Sequence, residues 1–265
     1  MLQGQDIRQV KALADEQFAR ANLTGALKEY QRVLFFDTEH RFDDVYGDIA
    51  DVYFEQGEFR QAMTYYDFAR KAIDTDSLKL EYSFRKILCH FMQESYLLGL
   101  SDLYDLPETE IPYFHAKKNL YFAICHFGLD ETDRSLDYFE ELVDSSGMEQ
   151  IRGLIHAFGK YQKKYDPDKL EMISIFLPGA GQIIAGDLKN GLNSILLLGG
   201  IVAYSYYTMV TYGWLDGALV LLSWSFRYYT GGHKKAYELG AERIREQRGV
   251  TYRQLLDVVG RHALR

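Results

Sequence analysis

Apolar and small side chains recur through the first 170 residues at the three-to-four spacing of amphipathic helices, and that pattern itself returns about every 36 residues. Ala26-Leu27-Lys28-Glu29-Tyr30 comes back as Ala62-Met63-Thr64-Tyr65-Tyr66, and Ile87-Leu88-Cys89-His90-Phe91 as Ala123-Ile124-Cys125-His126-Phe127. A helical period nested in a longer one predicts helix pairs stacked in sequence, each covering its apolar face with the next. Pro107 and Pro112 bracket the linker between the third and fourth copies and forbid one continuous helix there. A further helical segment over 147–165, ending near Asp166-Pro167, is expected to cap the stack. Residues 1–170 therefore read as about four helical hairpins plus a capping helix.

The pattern then changes. Between Lys189 and Asp216 lie 26 residues without a charge, in a chain otherwise rich in Asp, Glu, Lys and Arg. About 20 apolar helical residues cross the bilayer core, so this stretch is a candidate span. A shorter apolar run, Ala218 to Phe226, ends at Arg227. Residues 171–230 are read as a membrane hairpin preceded by a half-length interfacial or re-entrant segment. Asp216 is expected at the tip, because a mid-bilayer charge costs about 2.5–3.5 kcal/mol. A hydrophobic helical pair buried in a soluble core is the competing reading. Residues 231–265 are read as a basic tail in two helical pieces. In the second, Tyr252, Leu255, Leu256 and Val259 form an apolar stripe behind Thr251 as a cap. The predicted class is all-α: a helical-hairpin solenoid, a hydrophobic transmembrane hairpin and an amphipathic tail.

The clearest repeat unit, Tyr46 to Ala69, resembles a tetratricopeptide repeat (TPR) in Ala50 and Tyr53 of its first helix, Gly57 at the turn, and Phe59, Ala62, Tyr66 and Ala69 of its second. The unit before it keeps Ala14, Ala26 and Tyr30; the two after it lack the small-residue signature in their second helices and resemble degenerate copies. Such stacks line their concave face with the first helices. The 36-residue register places Phe18, Phe54, His90 and His126 there, a row suited to an extended peptide or a helix. The string Leu177 to Ser194 resembles the P-G-x-G-Q motif of a poorly characterised bacterial family of Bacteroidetes type. In that family it joins a TPR-like region to a short membrane hairpin. Pro178, Gly179, Gly181, Gln182, Gly186, Asp187, Gly191 and Asn193 carry this likeness, while Ile184 stands where relatives often have Tyr. Read from the residues alone, Pro178 can open a helix in its first turn. Gly199-x-x-x-Ala203 and Gly213-x-x-x-Gly217 allow close helix crossing in lipid, and Gln182 and Asn193 need partners at that depth.

Charge refines the picture. The net of −8 hides an acidic 1–170, with 20 Lys/Arg against 31 Asp/Glu, and a basic 231–265, with 8 against 4. An acidic body argues against nucleic acid, and a basic tail beside a hydrophobic segment suits anionic headgroups. Two cysteines make no disulfide framework, and Met1 to Asp6 has neither the basic start nor the apolar core of a signal peptide. Cys89-His90 and Cys125-His126 hold metal-ligand types, but neighbours on a helix point about 100° apart and one repeat cannot aim both at one ion. Gly179-x-Gly181 lacks the preceding strand and third glycine of a dinucleotide loop. No catalytic string is present, and no cofactor, metal or small-molecule substrate is expected. The expected function is non-enzymatic: a membrane-anchored scaffold that recruits a protein partner and contacts lipid. The alternative is a structural subunit or assembly factor packed through its hairpin in a larger envelope complex. Basic flanks at Lys163, Lys164, Lys169, Arg227, Lys234 and Lys235 put the repeats in the cytoplasm by the positive-inside rule. The family resemblance puts them in the periplasm, which the early start of the repeat favours.

Overall fold

The computed structural model of the protein describes residues 6–263, with the side chains of 224–230 outside that description. The described residues are mostly helical and contain no strand, apart from one isolated bridge between Val143 and Ala263. The chain divides into two compact units, one ending at Leu142 and the other beginning at Val143.

The first unit is four successive helix pairs. They are α1 (Ile7–Ala19) with α2 (Leu23–Phe36), α3 (Val45–Glu55) with α4 (Phe59–Ala72), α5 (Asp76–Met92) with α6 (Tyr96–Tyr104), and α7 (Pro112–Gly128) with α8 (Thr132–Glu140). Each helix packs on the next in sequence. The four turns inside the pairs are built alike. One residue in each is left-handed: Ala21, Gly57, Glu94 and Asp130. The next amide donates to the carbonyl five residues back, as Asn22 to Gln17 (2.9 Å), Glu58 to Tyr53 (2.9 Å), Ser95 to His90 (2.9 Å) and Glu131 to His126 (2.9 Å). This is the Schellman termination, which satisfies carbonyls that a helix end would otherwise leave without donors.

These turns set the true register, and it is not a uniform 36. The left-handed residues step by 36, 37 and 36 along the chain, so one extra residue enters between Gly57 and Glu94. With that correction the small position of the second helices reads Ala26, Ala62, Gly99 and Ser135, every one buried. The position facing it on the first helices reads Ala14, Ala50, Ile87 and Ala123, all fully buried. The third and fourth pairs therefore do carry the small-residue feature that the uncorrected spacing hides. In the fourth pair the contact is direct, with Ser135 Oγ donating to the Ala123 carbonyl at 2.9 Å.

The second unit is organised by its last helix. It holds α9 (Ser145–Lys164), α10 (Pro167–Phe176), the short α11 (Ala180–Ile184), α12 (Leu188–Thr211) and α13 (Trp214–His262). Two expectations change here. The 147–165 helix belongs to this unit and packs along α13, so the boundary falls at 142/143 instead of near 170. The tail is also no separate pair of helices: α13 runs unbroken for 49 residues through Gly231-Gly232. Glycines inside a helix cost about 1 kcal/mol each, which packing on both halves of α13 outweighs. Ala236 and Gly240 seat against α10, while Leu255 and Val258 are buried in contact with α9. Thr251 is not a cap. It lies buried mid-helix with its hydroxyl donating to the Gln247 carbonyl at 2.9 Å.

Candidate functional site

In the first unit, the first helices of successive pairs are joined by ion pairs, one set per step. Lys11 Nζ on α1 lies 3.0 Å from Asp48 and 3.6 Å from Asp44 near the start of α3. Arg85 on α5 meets Asp51 of α3 at 2.5 Å, and Lys117 on α7 meets Glu81 of α5 at 2.7 Å. Two tyrosines anchor the same rows from the second helices, Tyr30 donating to Asp15 at 2.8 Å and Tyr66 to Asp51 at 2.6 Å. Both pairs span 15 residues and lie 36 apart, a repeat that sequence reading overlooked because it weighed only apolar spacing. Burial first, and then the carboxylate each one serves, push both phenols well above their ordinary value. Burial pulls the Lys11 ammonium down, but its carboxylates, Asp48 first, outweigh that and raise it. The result is a face of fixed alternating charge.

The expected row of Phe18, Phe54, His90 and His126 is not one row. Phe18 and Phe54 hold the second-last helical position, where the carbonyl accepts from the left-handed residue; Phe91 and Phe127 are their equivalents. The histidines sit one place earlier, level with Gln17 and Tyr53, because of the extra residue between Gly57 and Glu94. They are also internal. His90 Nε2 pairs with Asp102 at 3.3 Å. His126, 1% exposed, bonds Glu131 at 2.7 Å and stacks on Tyr138 with ring centroids 5.5 Å apart. Phe18 is packed against the core of the first two pairs and Phe54 edge-on to Phe59. All four hold helices together. Cys89 and Cys125 are buried, with thiols pushed up to about 12 by burial, so neither supplies a thiolate. Among the described residues no group of three or more His, Cys, Asp or Glu could hold a metal ion. A cleft of about 750 Å³ opens where the end of α4 and the start of α5 meet the 107–111 loop; Arg70, Lys79, Asp76 and Glu108 line it with balanced charge.

The Leu177–Ser194 string forms the base of the second unit. Pro178 does not open a helix; it lies in the turn before Gly179, which caps α11 at φ 90°. That left-handed backbone favours glycine, as does the φ of 95° at Gly186. Gly181 and Gly191 are sites of close approach. Gly181 sits against the Leu170 carbonyl and donates its amide to Ser174 Oγ at 3.0 Å, while Gly191 sits against Ile183 and the Gly179 carbonyl. Gln182, 2% exposed, ties three segments together: its amide donates to the Gly232 carbonyl on α13 at 3.1 Å and accepts from Ser194 on α12 at 3.1 Å. Asp187 caps α12 by accepting from the Asn190 amide at 3.1 Å. The Asn190 contacts hold its carboxyl below the ordinary range. Asn193, expected to need a partner, faces outward instead.

Of the small residues assigned to packing between α12 and α13, only Gly217 fills that role. A Cβ there would lie 2.7 Å from Met209 Cβ and from the Ser205 carbonyl, and Ser205 Oγ donates to the Gly217 carbonyl at 2.5 Å. Gly213 makes the turn at φ 141°. Gly199 has open space around it and Ala203 is exposed, because the face of α12 toward α13 carries Ser205 and Thr208. α12 is long and apolar enough to cross a membrane, and only 11% of its most apolar window is buried. No protein-family model matches this chain, and no curated protein does.

Proposed function

We propose that the protein is a membrane-anchored, TPR-like helical scaffold that recruits a protein or peptide partner through its first unit and carries out no catalytic step. The observation that carries the reading is α12: 24 residues, about 36 Å of helix, apolar and mostly exposed, with only 11% of its most apolar window buried. A core helix of a soluble protein is covered. The repeat half of the reading is supported by four pairs with matched turns and matched small positions, and by the resemblance of Tyr46–Ala69 to a TPR unit. The likeness of Leu177–Ser194 to a bacterial membrane-hairpin family supports the anchor. With the histidines internal, the partner face becomes the charged rows of α1, α3, α5 and α7 around Lys11, Asp51, Arg85 and Lys117. Partners with alternating charge suit it best.

Carbonate-washed membranes of cells making the full chain test the reading, with protease added from the periplasmic side. Retention with cleavage of the first unit means an envelope-facing scaffold, and retention with protection means a cytoplasmic adaptor. Release into the soluble fraction refutes the anchor. The second reading, a subunit packed through α12 in a larger envelope complex, is favoured by the open face at Gly199, Gly200 and Ala203. Replacing α12 and the start of α13 by an unrelated hairpin separates the two: a scaffold keeps its partner, a packed subunit loses its complex.

A further inference from the structure

We infer that the elbow made by the second half of α10, the Leu177-Pro178 turn and α11 lies in the headgroup–acyl boundary of one leaflet and sets the bilayer plane on that side. The inference rests on the membrane reading of α12. Charge in α10 is segregated by position along the helix. Asp166, Asp168, Lys169 and Glu171 occupy its start, and no charged residue follows until Asp187. Beyond Glu171 the apolar side chains point away from the protein: Met172 is 59% exposed, Phe176 81% and Leu177 63%, with Ile173, Ile175 and Ile184 also exposed. Ten residues, about 15 Å of helix, are too short to span. A helix polar at one end and apolar at the other suits an interface, where apolar side chains reach about 5–10 Å below the headgroups.

The elbow is held rigidly, so its exposure is built in. Leu170 is 1% exposed, Glu171 pairs with His233 on α13 at 2.8 Å, and a Cβ on Gly240 would come within 2.9 Å of Leu170. Gln182 then fixes the height, bonding Ser194 on α12 and Gly232 on α13 at one level. From Ser194 to the turn at Tyr212 is about 18 residues, or about 27 Å, close to the roughly 30 Å of the hydrocarbon core. An elbow in one headgroup layer thus places Tyr212, Trp214 and Asp216 in the other. Aromatic rings are favoured at that level and a carboxylate is tolerated there. Two independent heights agree. The elbow meets α12 at Ile195, which lies 3.1 Å from the Cβ position of Gly179; Leu188, Leu192 and Ile195 of α12 are exposed, as are Lys169 and Lys235. Those exposed apolar residues and those lysines favour lipid as the occupant over a second protein.

The test places single tryptophans in the full chain, on a Trp214→Phe, Trp224→Phe background, reconstituted in phosphatidylcholine–phosphatidylglycerol vesicles. Phe176→Trp and Met172→Trp probe the elbow, and Val202→Trp, on an exposed site about 12 Å along α12 from Ser194, probes the mid-depth. Lipids brominated near the headgroup or deep in the acyl chain report depth. The expected result is stronger quenching of both elbow probes by shallow bromines than by deep ones, with the reverse order for Val202→Trp. Quenching of Val202→Trp alone, with the elbow probes open to aqueous acrylamide, overturns the elbow and leaves the anchor standing. Elbow probes shielded from acrylamide yet not quenched by any bromolipid mean that protein covers the face, which also overturns it. No quenching at any of the three positions refutes the membrane reading itself.

Discussion

Gly99 tests the corrected register of the repeats most sharply. If one extra residue precedes the third pair, Gly99 occupies the place of Ala62, and alanine is the residue the architecture expects there. An added Cβ would sit 3.1 Å from Phe91 Cε1, 3.5 Å from Cys125 Sγ and 3.5 Å from His90 Cβ. The last two are ordinary contacts. The first requires a few tenths of an ångström from the Phe91 ring, which is only partly buried though it packs beside Tyr121. Against that small cost, replacing glycine by alanine inside a helix gains about 1 kcal/mol in propensity. A newly buried methyl adds up to about 0.8 kcal/mol. The net expectation for Gly99→Ala is stabilisation by about 0.5–1 kcal/mol, a rise of roughly 1–4 °C in the melting temperature of the unit. Gly99→Leu overfills the same contact with Cys125 and should lose about 1–3 kcal/mol. Urea melts of the full chain in detergent, read by hydrogen exchange in peptides from α5 and α6, measure both. A loss of more than about 1 kcal/mol for Gly99→Ala would refute the register, since no small-residue position of a stacked pair rejects a methyl that strongly.

Three further outcomes are expected. Gly217→Leu should break the crossing of α12 and α13 and lower the amount of full-length chain retained in membranes, whereas Gly199→Leu, with open space around it, should leave retention unchanged; equal loss in both would contradict the face assigned to α12. The Asp102 carboxyl is held below its ordinary value, by its hydrogen bond to His90 first and by Lys86 as well. Its stabilising share is therefore present above the unfolded value of about 4 and lost as pH falls through the lower folded one. Acid unfolding monitored by circular dichroism should lose part of its slope below about pH 4 in Asp102→Asn. Neither cysteine should react with a thiol reagent in the folded chain at neutral pH, and both should react in urea; fast labelling of the native chain would show that the burial of Cys89 and Cys125 is wrong.

Much of the fold is legible in apolar spacing, and the parts that are not have identifiable causes. The two Cys-His strings are themselves 36 apart, so they conceal a one-residue insertion that lies before both of them. Only the turn geometry at Gly57 and Glu94 exposes it. Gly231-Gly232 reads locally as a helix break, yet the backbone stays helical because its flanks are packed from two sides, and tertiary contacts override propensity. The outward direction of Gly199 and Ala203 was equally hidden. A small-xxx-small pattern states that a close approach is possible, and only the position of Ser205 and Gly217 decides which face makes it. The tyrosine–aspartate pairs were legible but unread: Asp15/Tyr30 and Asp51/Tyr66 share one spacing and one period.

The most distinctive string in the chain thus has a mechanical explanation for nearly every residue. Gly179 and Gly186 take backbone angles that a side chain resists, and Gly181 and Gly191 admit neighbouring backbone. Asp187 caps α12, and Gln182 satisfies Ser194 and Gly232 where α12 and α13 meet α11. A buried carboxamide with both ends bonded is costly to disturb, because removing it leaves a donor and an acceptor without partners. Gln182→Leu keeps the volume and removes both bonds, so it should loosen α11 from α12 and α13 while Asn193→Leu, whose side chain faces outward, leaves them in place. Limited proteolysis in the 177–190 segment reads the difference directly. Faster cleavage in the Gln182 variant alone means that the motif is a structural joint. Equal behaviour of the two variants would return the motif to the list of contact surfaces.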